Sequence, residues 1–332
     1  MLAATVTERT APVELKAIGN VEAYATVNIK ARVGGQITQV NFREGQDVSK
    51  GQLLFVIDPR PLETALRQAE ANLARDQALA GKAQADARRY AELIRKQFVS
   101  QQEYDQAKAT SESLAATVKA DEVAVQTARL MLSYCYIHAP ITGRTGNLLA
   151  NLGNQIKADA DTAMVVINQI QPIYVSFAVP EQNLPEIRKF MASGQVPVEA
   201  VIGGEVKNPE RGTLTFVDNT VDKSTGTILC KATYANDHKR LWPGQFVNVV
   251  VRLTTQPHAI LIPSQAVQTS QAGDFVFIIK EDQTVETRPV EVDRSLDGEA
   301  IIRKGLKPGE RVVTDGQLRL VPGAKVEIKK YP

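Results

Sequence analysis

Apolar positions in one stretch of the chain, residues 62–132, follow two interleaved seven-residue repeats. Steps that alternate between three and four residues keep such positions on one side of a helix, as in the seam of a coiled coil. The stretch holds no proline and a single glycine, and 17 of its 71 residues are alanine, the best helix former. We therefore predict a helical segment whose seam contains Leu66, Leu73, Ile94, Leu114, Val118, Val125 and Leu132.

The seam is interrupted once, at the segment 97–101. Ser100 followed three residues later by Glu103 forms a capping-box pattern, which marks the start of a helix. The pattern predicts two antiparallel helices over about 62–97 and 101–132, the first of which spans roughly 54 Å.

Charged residues indicate that this hairpin protrudes into solvent. Ten basic and ten acidic side chains lie in 62–132. A thin apolar seam with charges on the other faces is more typical of an exposed helix pair than of helices inside a larger core. Asp76 and Asp121 interrupt the seam at similar distances from the turn. We expect the apolar stripe to drift there, so that both carboxylates reach solvent.

The segments on either side of the hairpin resemble each other. In each, two glycines stand ten residues apart, with an apolar residue five before the second glycine and another three after it. Glycines at fixed offsets mark turns between short strands. The pattern predicts a small sheet domain built from two related halves, with turn glycines Gly35, Gly45, Gly51, Gly143, Gly146 and Gly153.

The rest of the chain has short apolar runs separated by turn residues, which predict strands. One short helix is expected over 180–190. The predicted strands cover 173–179, 196–202, 213–217, 227–234, 246–253, 259–262, 275–280, 285–292, 311–314 and 325–330.

The paired half-motifs resemble the biotinyl/lipoyl carrier fold. In such carriers a tight β-hairpin presents a lysine that receives biotin or lipoate. Here the helical hairpin separates the two halves, and no tight turn with a lysine lies at that position.

A lipoyl-like domain split by a coiled-coil hairpin resembles the membrane fusion proteins, the periplasmic adaptors of tripartite pumps. Nearly the whole chain is similar to the AcrA/MexA-like branch that serves RND transporters, through segments 32–37, 41–45, 57–59, 133–143, 172–175, 241–247, 259–263, 285–290 and 305–313.

This resemblance implies a fold class and four domains. The chain is expected to be mainly β with a long α-helical coiled-coil hairpin. The expected domains are a membrane-proximal β domain (1–19 and 256–332), a six-stranded β-barrel domain (20–30 and 170–255), a split lipoyl-like domain (31–60 and 133–169) and the hairpin (61–132).

The hairpin turn also resembles the family's tip signature, in which an Arg, a Leu four residues later and a Ser seven residues after that meet the outer-membrane channel. Arg89, Leu93 and Ser100 match it without a gap. We expect Leu93 to be exposed, because Ile94 already occupies the seam, and Arg89 to offer a planar fork to carboxylates or carbonyls. Ser100 has an alternative role as a helix cap.

Composition excludes several other functions. The net charge of +2 argues against nucleic-acid binding. The chain lacks the P-loop, nucleophile-elbow and dinucleotide-binding motifs, and its three histidines lie in separate segments without metal-ligand spacing. We expect no enzyme activity, no cofactor and no metal. The start of the chain lacks signal-peptide features, so either the protein is cytosolic or a signal or anchor was removed.

The resemblance therefore implies a periplasmic adaptor, attached to the inner membrane in its native form. It would link an inner-membrane RND transporter to a TolC-like outer-membrane channel and assemble as a hexamer. Two alternatives stay open: an adaptor of an ABC exporter or type I secretion system, and a lipoyl or biotin carrier, which the missing lysine turn disfavours. The exported substrate cannot be read from the residues.

Overall fold

The computed structural model describes residues 1–158, 160–203, 208–271, 273–296, 298–317, 320–321 and 323–327. The chain forms two compact units. Unit 1 comprises Met1–Asn20, Val175–Tyr234 and the described part of Phe246–Pro332, and unit 2 comprises Val21–Tyr174 and Ala235–Gln245.

The structure is mainly β with one long helical hairpin, which confirms the predicted fold class. The elements have these bounds: β1 Leu2–Thr5, β2 Thr7–Ile29, β3 Gly35–Val40, β4 Asp47–Val48, β5 Leu53–Ile57, α1 Arg60–Arg95, α2 Gln101–Ser133, β6 Tyr136–His138, β7 Gly143–Thr145, β8 Gln155–Ile156, β9 Val165–Pro180, α3 Leu184–Ser193, β10 Pro197–Val201, β11 Glu210–Asp222, β12 Thr227–Tyr234, β13 Phe246–Pro263, β14 Gln268–Ser270, β15 Gly273–Ile279, β16 Val285–Pro289, β17 Glu291–Leu296, β18 Glu299–Lys304 and β19 Arg311–Asp315.

The hairpin begins two residues earlier than the periodicity predicts, at Arg60. Pro61 suits the first helical turn, where a missing N–H leaves no bond unmade. The Asp58 carboxylate accepts the N–H of Arg60 at 3.1 Å and also pairs with the Arg60 guanidinium at 2.6 Å. Hydrogen bonds from the Arg60 side chain and backbone lower the pKa of Asp58 to about 2. The base of the hairpin therefore keeps an ionised carboxylate at the positive end of α1.

Both flanks of the hairpin contribute to one β core in unit 2. Its four-stranded sheet has the order β6-β5-β3-β8, so β5, before the hairpin, pairs with β6, after it. The fully buried members of the core include Leu54, Phe55 and Ile167, and the Phe55 ring meets Phe42 edge-on at 5.2 Å. Residues separated by the whole hairpin thus form a single hydrophobic core.

The two halves of this core exchange equivalent contacts. In the first half, the N–H of Gly45 donates to the carbonyl of Thr145 at 3.1 Å. In the second half, the N–H of Gly153 donates to the carbonyl of Ile37 at 2.9 Å. Gly45 and Gly153 have φ of 70° and 85°, a region that favours glycine. Each turn docks on a strand of the other half, as approximate two-fold symmetry requires.

Three of the predicted turn glycines have other roles. Gly35 and Gly143 begin strands β3 and β7, and Gly146 follows β7 with its N–H donated to a neighbouring carbonyl. A Cβ at Gly143 would lie 2.6 Å from the carbonyl oxygen of Asn168, and one at Gly35 would lie 2.5 Å from Ile57 Cγ2. Gly35 and Gly143 therefore serve close approach of packed strands rather than a turn; Gly51, with φ of 86°, lies in a turn.

Unit 1 is built from antiparallel sheets. One has the order β1-β19-β15-β14, with β16 also paired to β15. The other follows β17-β18-β13-β10-β11-β12, and residues 7–20 of β2 pair along β13. Helix α3 follows a 3₁₀ turn at Glu181–Asn183, so the predicted short helix starts and ends slightly later than expected.

Several predicted strands have different limits in the structure. The strands predicted at 246–253 and 259–262 are the single strand β13, irregular where His258 has φ of 57°. The one predicted at 285–292 is divided into β16 and β17. Of the strand predicted at 325–330, Lys325 forms an isolated bridge with Thr284, and residues 328–330 lie outside the described part. The division into four domains stays a prediction.

Candidate functional site: the tip of the helical hairpin

The turn between α1 and α2 is short and hydrogen-bonded. The N–H groups of Lys96 and Phe98 both donate to the carbonyl of Leu93, at 3.1 and 3.0 Å. Gln97 adopts φ of 58°, the left-handed conformation common just after a helix end. These bonds satisfy carbonyls that the end of α1 would otherwise leave free. The tip therefore has a defined backbone.

Ser100 is the N-cap of α2, and the predicted capping box is present. Its Oγ accepts the N–H of Glu103 at 3.3 Å, and Glu103 Oε2 accepts the N–H of Ser100 at 2.8 Å. The backbone and hydroxyl hydrogen bonds from Ser100 lower the pKa of Glu103. Ser100 thus has a structural role whatever else it contacts.

Leu93 is half-buried, so the expectation of an exposed leucine is wrong. After α1 ends, the chain turns back so that Lys96 and Phe98 donate their N–H groups to the Leu93 carbonyl. The large apolar side chain exposed at the tip is instead Phe98, which is 74% exposed. The sequence did hold a signal for this exposed side chain, because Phe98 is a large aromatic residue within the polar turn. An analysis of the heptad periodicity does not include it, since Phe98 lies outside the seam.

Arg89 lies one helical turn before Leu93 on α1. Its guanidinium pairs with Asp86 at 3.0 Å, and its side chain is 66% exposed. An exposed pair of this kind contributes little to stability. The Arg89 guanidinium therefore remains available to a carboxylate or carbonyl group of a partner that binds it more strongly than Asp86 does.

A groove of about 610 Å³ lies beside the tip, between the two helices. Ser100 lines this groove, whereas Arg89 and Leu93 do not. Asp86, the ion-pair partner of Arg89, borders it. Most of the residues that line it have polar side chains, among them Asp86, Tyr90, Ser100, Glu103, Gln106 and Thr110.

The seam behind the tip is narrow. Leu66, Leu73, Ile94, Leu114, Val118 and Leu132 are half-buried, and Val125 is buried. The expectation that both acidic seam residues reach solvent is wrong for Asp76, which is only 6% exposed. Asp121 is half-buried, and its Oδ2 is inaccessible to solvent. The stripe therefore does not drift at Asp76.

Neither a metal site nor a membrane span occurs in the described part of the chain. There, no three His, Cys, Asp or Glu side chains are arranged to hold a metal ion. None of the described helices is both long and apolar enough to cross a membrane. The two cysteines are free and buried, Cys135 in unit 2 and Cys230 in unit 1.

Family models match three successive parts of the chain. They are described as the RND MFP barrel-sandwich hybrid domain (residues 25–168), the RND MFP beta-barrel domain (172–255) and the RND MFP C-terminal permuted SH3 domain (258–319). MFP denotes membrane fusion protein.

The chain is also similar to named relatives in sequence and to solved structures in fold. The multidrug resistance protein MdtA of Erwinia amylovora is 40% identical over 98% of this chain and 80% of its own, and that of Proteus mirabilis is 40% identical over 98% and 79%. The fold is similar to that of MacA from Actinobacillus actinomycetemcomitans, with a TM-score of 0.69 and 21% identity over 95% of this chain and 100% of that one. A MacA–MexA chimera with the Pseudomonas aeruginosa MexA hairpin has a TM-score of 0.63 and 23% identity, over 93% and 98%.

A β-rich chain whose barrel-sandwich domain is split by a coiled-coil hairpin defines the adaptor class of export proteins. This chain belongs to the RND membrane fusion protein family, the periplasmic adaptors of RND tripartite efflux pumps.

Proposed function

We propose that the hairpin tip binds a TolC-like outer-membrane channel, with Arg89, Leu93 and Ser100 as contact residues and Phe98 as an additional apolar contact. The observation that carries this proposal is a hydrogen-bonded tip at which Phe98 and Arg89 are exposed and are not needed for its own fold. The Phe98 ring is 74% exposed and the Arg89 fork is held only by a surface pair. A helical tip of this kind suits docking onto another helical hairpin.

Crosslinking tests this contact. A single cysteine at residue 89 should crosslink to a co-expressed channel, and one at Gln77, exposed midway along α1, should not. The native thiols of Cys135 and Cys230 are buried, and burial raises the pKa of both, so neither should react first. Equal crosslinking from both positions would contradict a contact confined to the tip.

The transporter partner is an RND protein in this proposal, because all three matching family models describe RND membrane fusion proteins. This favours RND over an ABC exporter. The transporter would contact the β domains of unit 1. Single cysteines within 256–317, compared with cysteines along the hairpin, would test the assignment; contacts confined to the hairpin would reject it.

We also propose that hairpins of neighbouring copies pack side by side in a ring, for which we adopt a hexamer. Helix α2 presents a second heptad stripe opposite the seam, and all its members are exposed: Ala116, Ala120, Val123, Thr127 and Leu130. Helix α1 presents a stripe of small exposed residues: Ala71, Ala74, Ala78, Gly81 and Ala85. The larger members of the α2 stripe, Val123, Thr127 and Leu130, and the small residues of the α1 stripe favour a head-to-tail contact between copies, which gives a ring when the rotation between copies closes.

A charge on the α2 stripe tests the ring. Leu130→Asp should reduce self-association at high protein concentration, as measured by native mass spectrometry with the transporter present. Gln126→Asp, an exposed change off this stripe, is the matched control. Unaltered assembly of Leu130→Asp would reject this packing without touching the tip contact.

The cargo we propose is small toxic compounds, because the relatives are named multidrug resistance proteins. The adaptor's role is to seal and line the conduit without catalysing a reaction. Deleting the gene should raise susceptibility to several unrelated compounds, and supplying the chain together with its transporter should restore resistance.

A further inference from the structure

A concave pocket of about 370 Å³ lies in unit 2, beside the base of the hairpin. One wall is formed by the end of β2 and the residues that follow it, including Lys30 and Arg32. The other wall is formed by the segment after α2, including Tyr134, Tyr136 and His138. The pocket has the volume of a small-molecule site and lies at the opposite end of α2 from the tip.

The pocket is positively charged. Lys30 and Arg32 both line it, and among the described residues no Asp or Glu side chain does so. The Lys30 ammonium has an acidic neighbour, Asp161, at 3.7 Å, but Asp161 is fully exposed and such a surface pair contributes little. Two cations that line a concave surface without a neutralising carboxylate attract anions.

Arg32 is oriented by an aromatic ring rather than by an acid. Its guanidinium carbon lies 5.1 Å from the centre of the Tyr134 ring, within the range of a cation–π contact. In the described part of the chain, the Arg32 side chain makes neither an ion pair nor a hydrogen bond. Stacking on the ring leaves the N–H groups at the edge of the guanidinium accessible, and this edge matches the geometry of a carboxylate.

The other wall offers an aromatic surface and unused hydroxyl groups. Tyr136 belongs to β6, and 38% of its surface is exposed. His138 Nδ1 donates to the Tyr136 carbonyl at 2.9 Å, because a carbonyl only accepts, and this bond holds the imidazole in the wall. Neither the Tyr134 nor the Tyr136 hydroxyl bonds to another of the described residues. The pocket therefore combines hydrogen-bond donors with flat apolar rings.

A purely structural role for Arg32 is the competing explanation. Tyr134 is the C-cap of α2, and a cation near the end of a helix interacts favourably with the helix dipole. That role accounts for one cation at the base of the hairpin. It does not account for the second cation, Lys30, or for the exposed ring of Tyr136 in the same pocket.

We propose that this pocket binds a small organic anion that carries an aromatic ring. Arg32 and Lys30 hold its anionic group, Tyr134 orients the Arg32 guanidinium, and the exposed Tyr136 ring packs against its aromatic body. The ligand is a small molecule rather than a segment of protein, because a concave pocket of this volume encloses a compound of that size. Binding requires neither a channel nor a transporter, so the proposal is independent of the tip contact.

Titration calorimetry of the full chain with naphthoate tests the proposal, and the compound should occupy one site per chain. Neutral naphthamide has the same rings without the charge, and inorganic phosphate has the charge without the rings. Each of these controls should bind at least about tenfold more weakly than naphthoate. Equal affinity for naphthoate and either control, or no saturable binding of naphthoate below about 1 mM, would overturn the proposal.

Matched arginine variants locate the site. Arg32→Ala should weaken naphthoate binding by at least about tenfold, because a hydrogen bond between charged groups is lost. Arg43→Ala removes the same charge from an exposed position of unit 2 outside the pocket, and it should leave the affinity unchanged. Equal losses in the two variants would reject the site. A lower melting temperature of Arg32→Ala with unchanged affinity would assign Arg32 to the helix end alone and would also reject it.

Two variants at exposed positions cover the case in which Arg32→Ala folds poorly. Lys30→Gln removes the second cation, and Tyr136→Thr removes the ring while it keeps a β-branched residue in β6. Each should weaken naphthoate binding by at least about threefold. Unchanged affinity in both variants would place the compound elsewhere on the chain and overturn the proposal.

Discussion

The hairpin and the β core that flanks it belong to the same unit yet are stabilised in different ways. The core has several side chains with no exposed surface, such as Leu54 and Phe55. Its contacts join residues about a hundred positions apart, as in the bond from Gly45 to Thr145. In the hairpin only Asp76 and Val125 are buried, and most backbone bonds are local to each helix. The β core can therefore hold its shape while the hairpin presents a long surface to partners.

This difference suits an adaptor. A narrow seam leaves most of each helix surface accessible, including the tip and both outer stripes. A wider core would hide those surfaces. The same narrow seam gives each helix of the hairpin a single buried residue.

Removal of the hairpin should have the largest effect on function and little on the β core. We would replace residues 62–132 by a short glycine-rich turn. The base already bridges the gap, since the N–H of Ile57 donates to the carbonyl of Cys135 at 2.9 Å and β5 pairs with β6. Channel binding in a pull-down should be lost completely, with cooperative unfolding retained. An unfolded product would show that the hairpin is part of the core.

A large-to-small change should cost more in the core than in the seam. Phe55→Ala should lower the free energy of unfolding by about 3–5 kcal/mol, because Phe55 is completely buried. Leu114→Ala, at a half-buried seam position, should cost less than about 2 kcal/mol. Denaturant unfolding followed by the fluorescence of Trp242, the single tryptophan and a member of unit 2, reports the core variant, and loss of helical circular dichroism reports the seam variant. Equal costs would contradict the comparison.

At the tip, two adjacent half-buried residues should separate binding from stability. Leu93→Ala should weaken channel binding by at least about 2 kcal/mol if Leu93 is an anchor of the interface. Ile94→Ala should mainly loosen the hairpin, as seen in faster amide exchange, because Ile94 belongs to the seam. Binding constants and exchange rates measured on both variants decide this, and identical profiles would reject Leu93 as a contact.

The smallest effect concerns Ser100. Ser100→Ala should cost about 1 kcal/mol of helix stability through loss of the cap, whereas Ser100→Asp should retain the cap. Thermal unfolding of the hairpin measures this difference. If channel binding falls in the alanine variant and is preserved in the aspartate variant, capping explains the role of Ser100; a fall in both indicates direct contact by the hydroxyl.

Much of the architecture was predictable. The heptad repeat located both helices within two residues, and the paired glycines indicated a β domain of two halves. Strand limits were less accurate: the strands predicted at 285–292 and 246–253 are divided or extended by pairing with distant segments. At the tip, the capping box was predictable from Ser100 and Glu103, but the exposure of Leu93 was not.

The sequence alone determined the hairpin, because helix periodicity and capping depend on residues three or four positions apart. It also determined the family, through motifs whose order and spacing span the chain. Only the tertiary structure decided that Asp76 is buried in the seam, and that Gly143 admits no Cβ beside the carbonyl of Asn168. Those features depend on a partner that the fold brings from a distant part of the chain, and no local pattern records where that partner will lie.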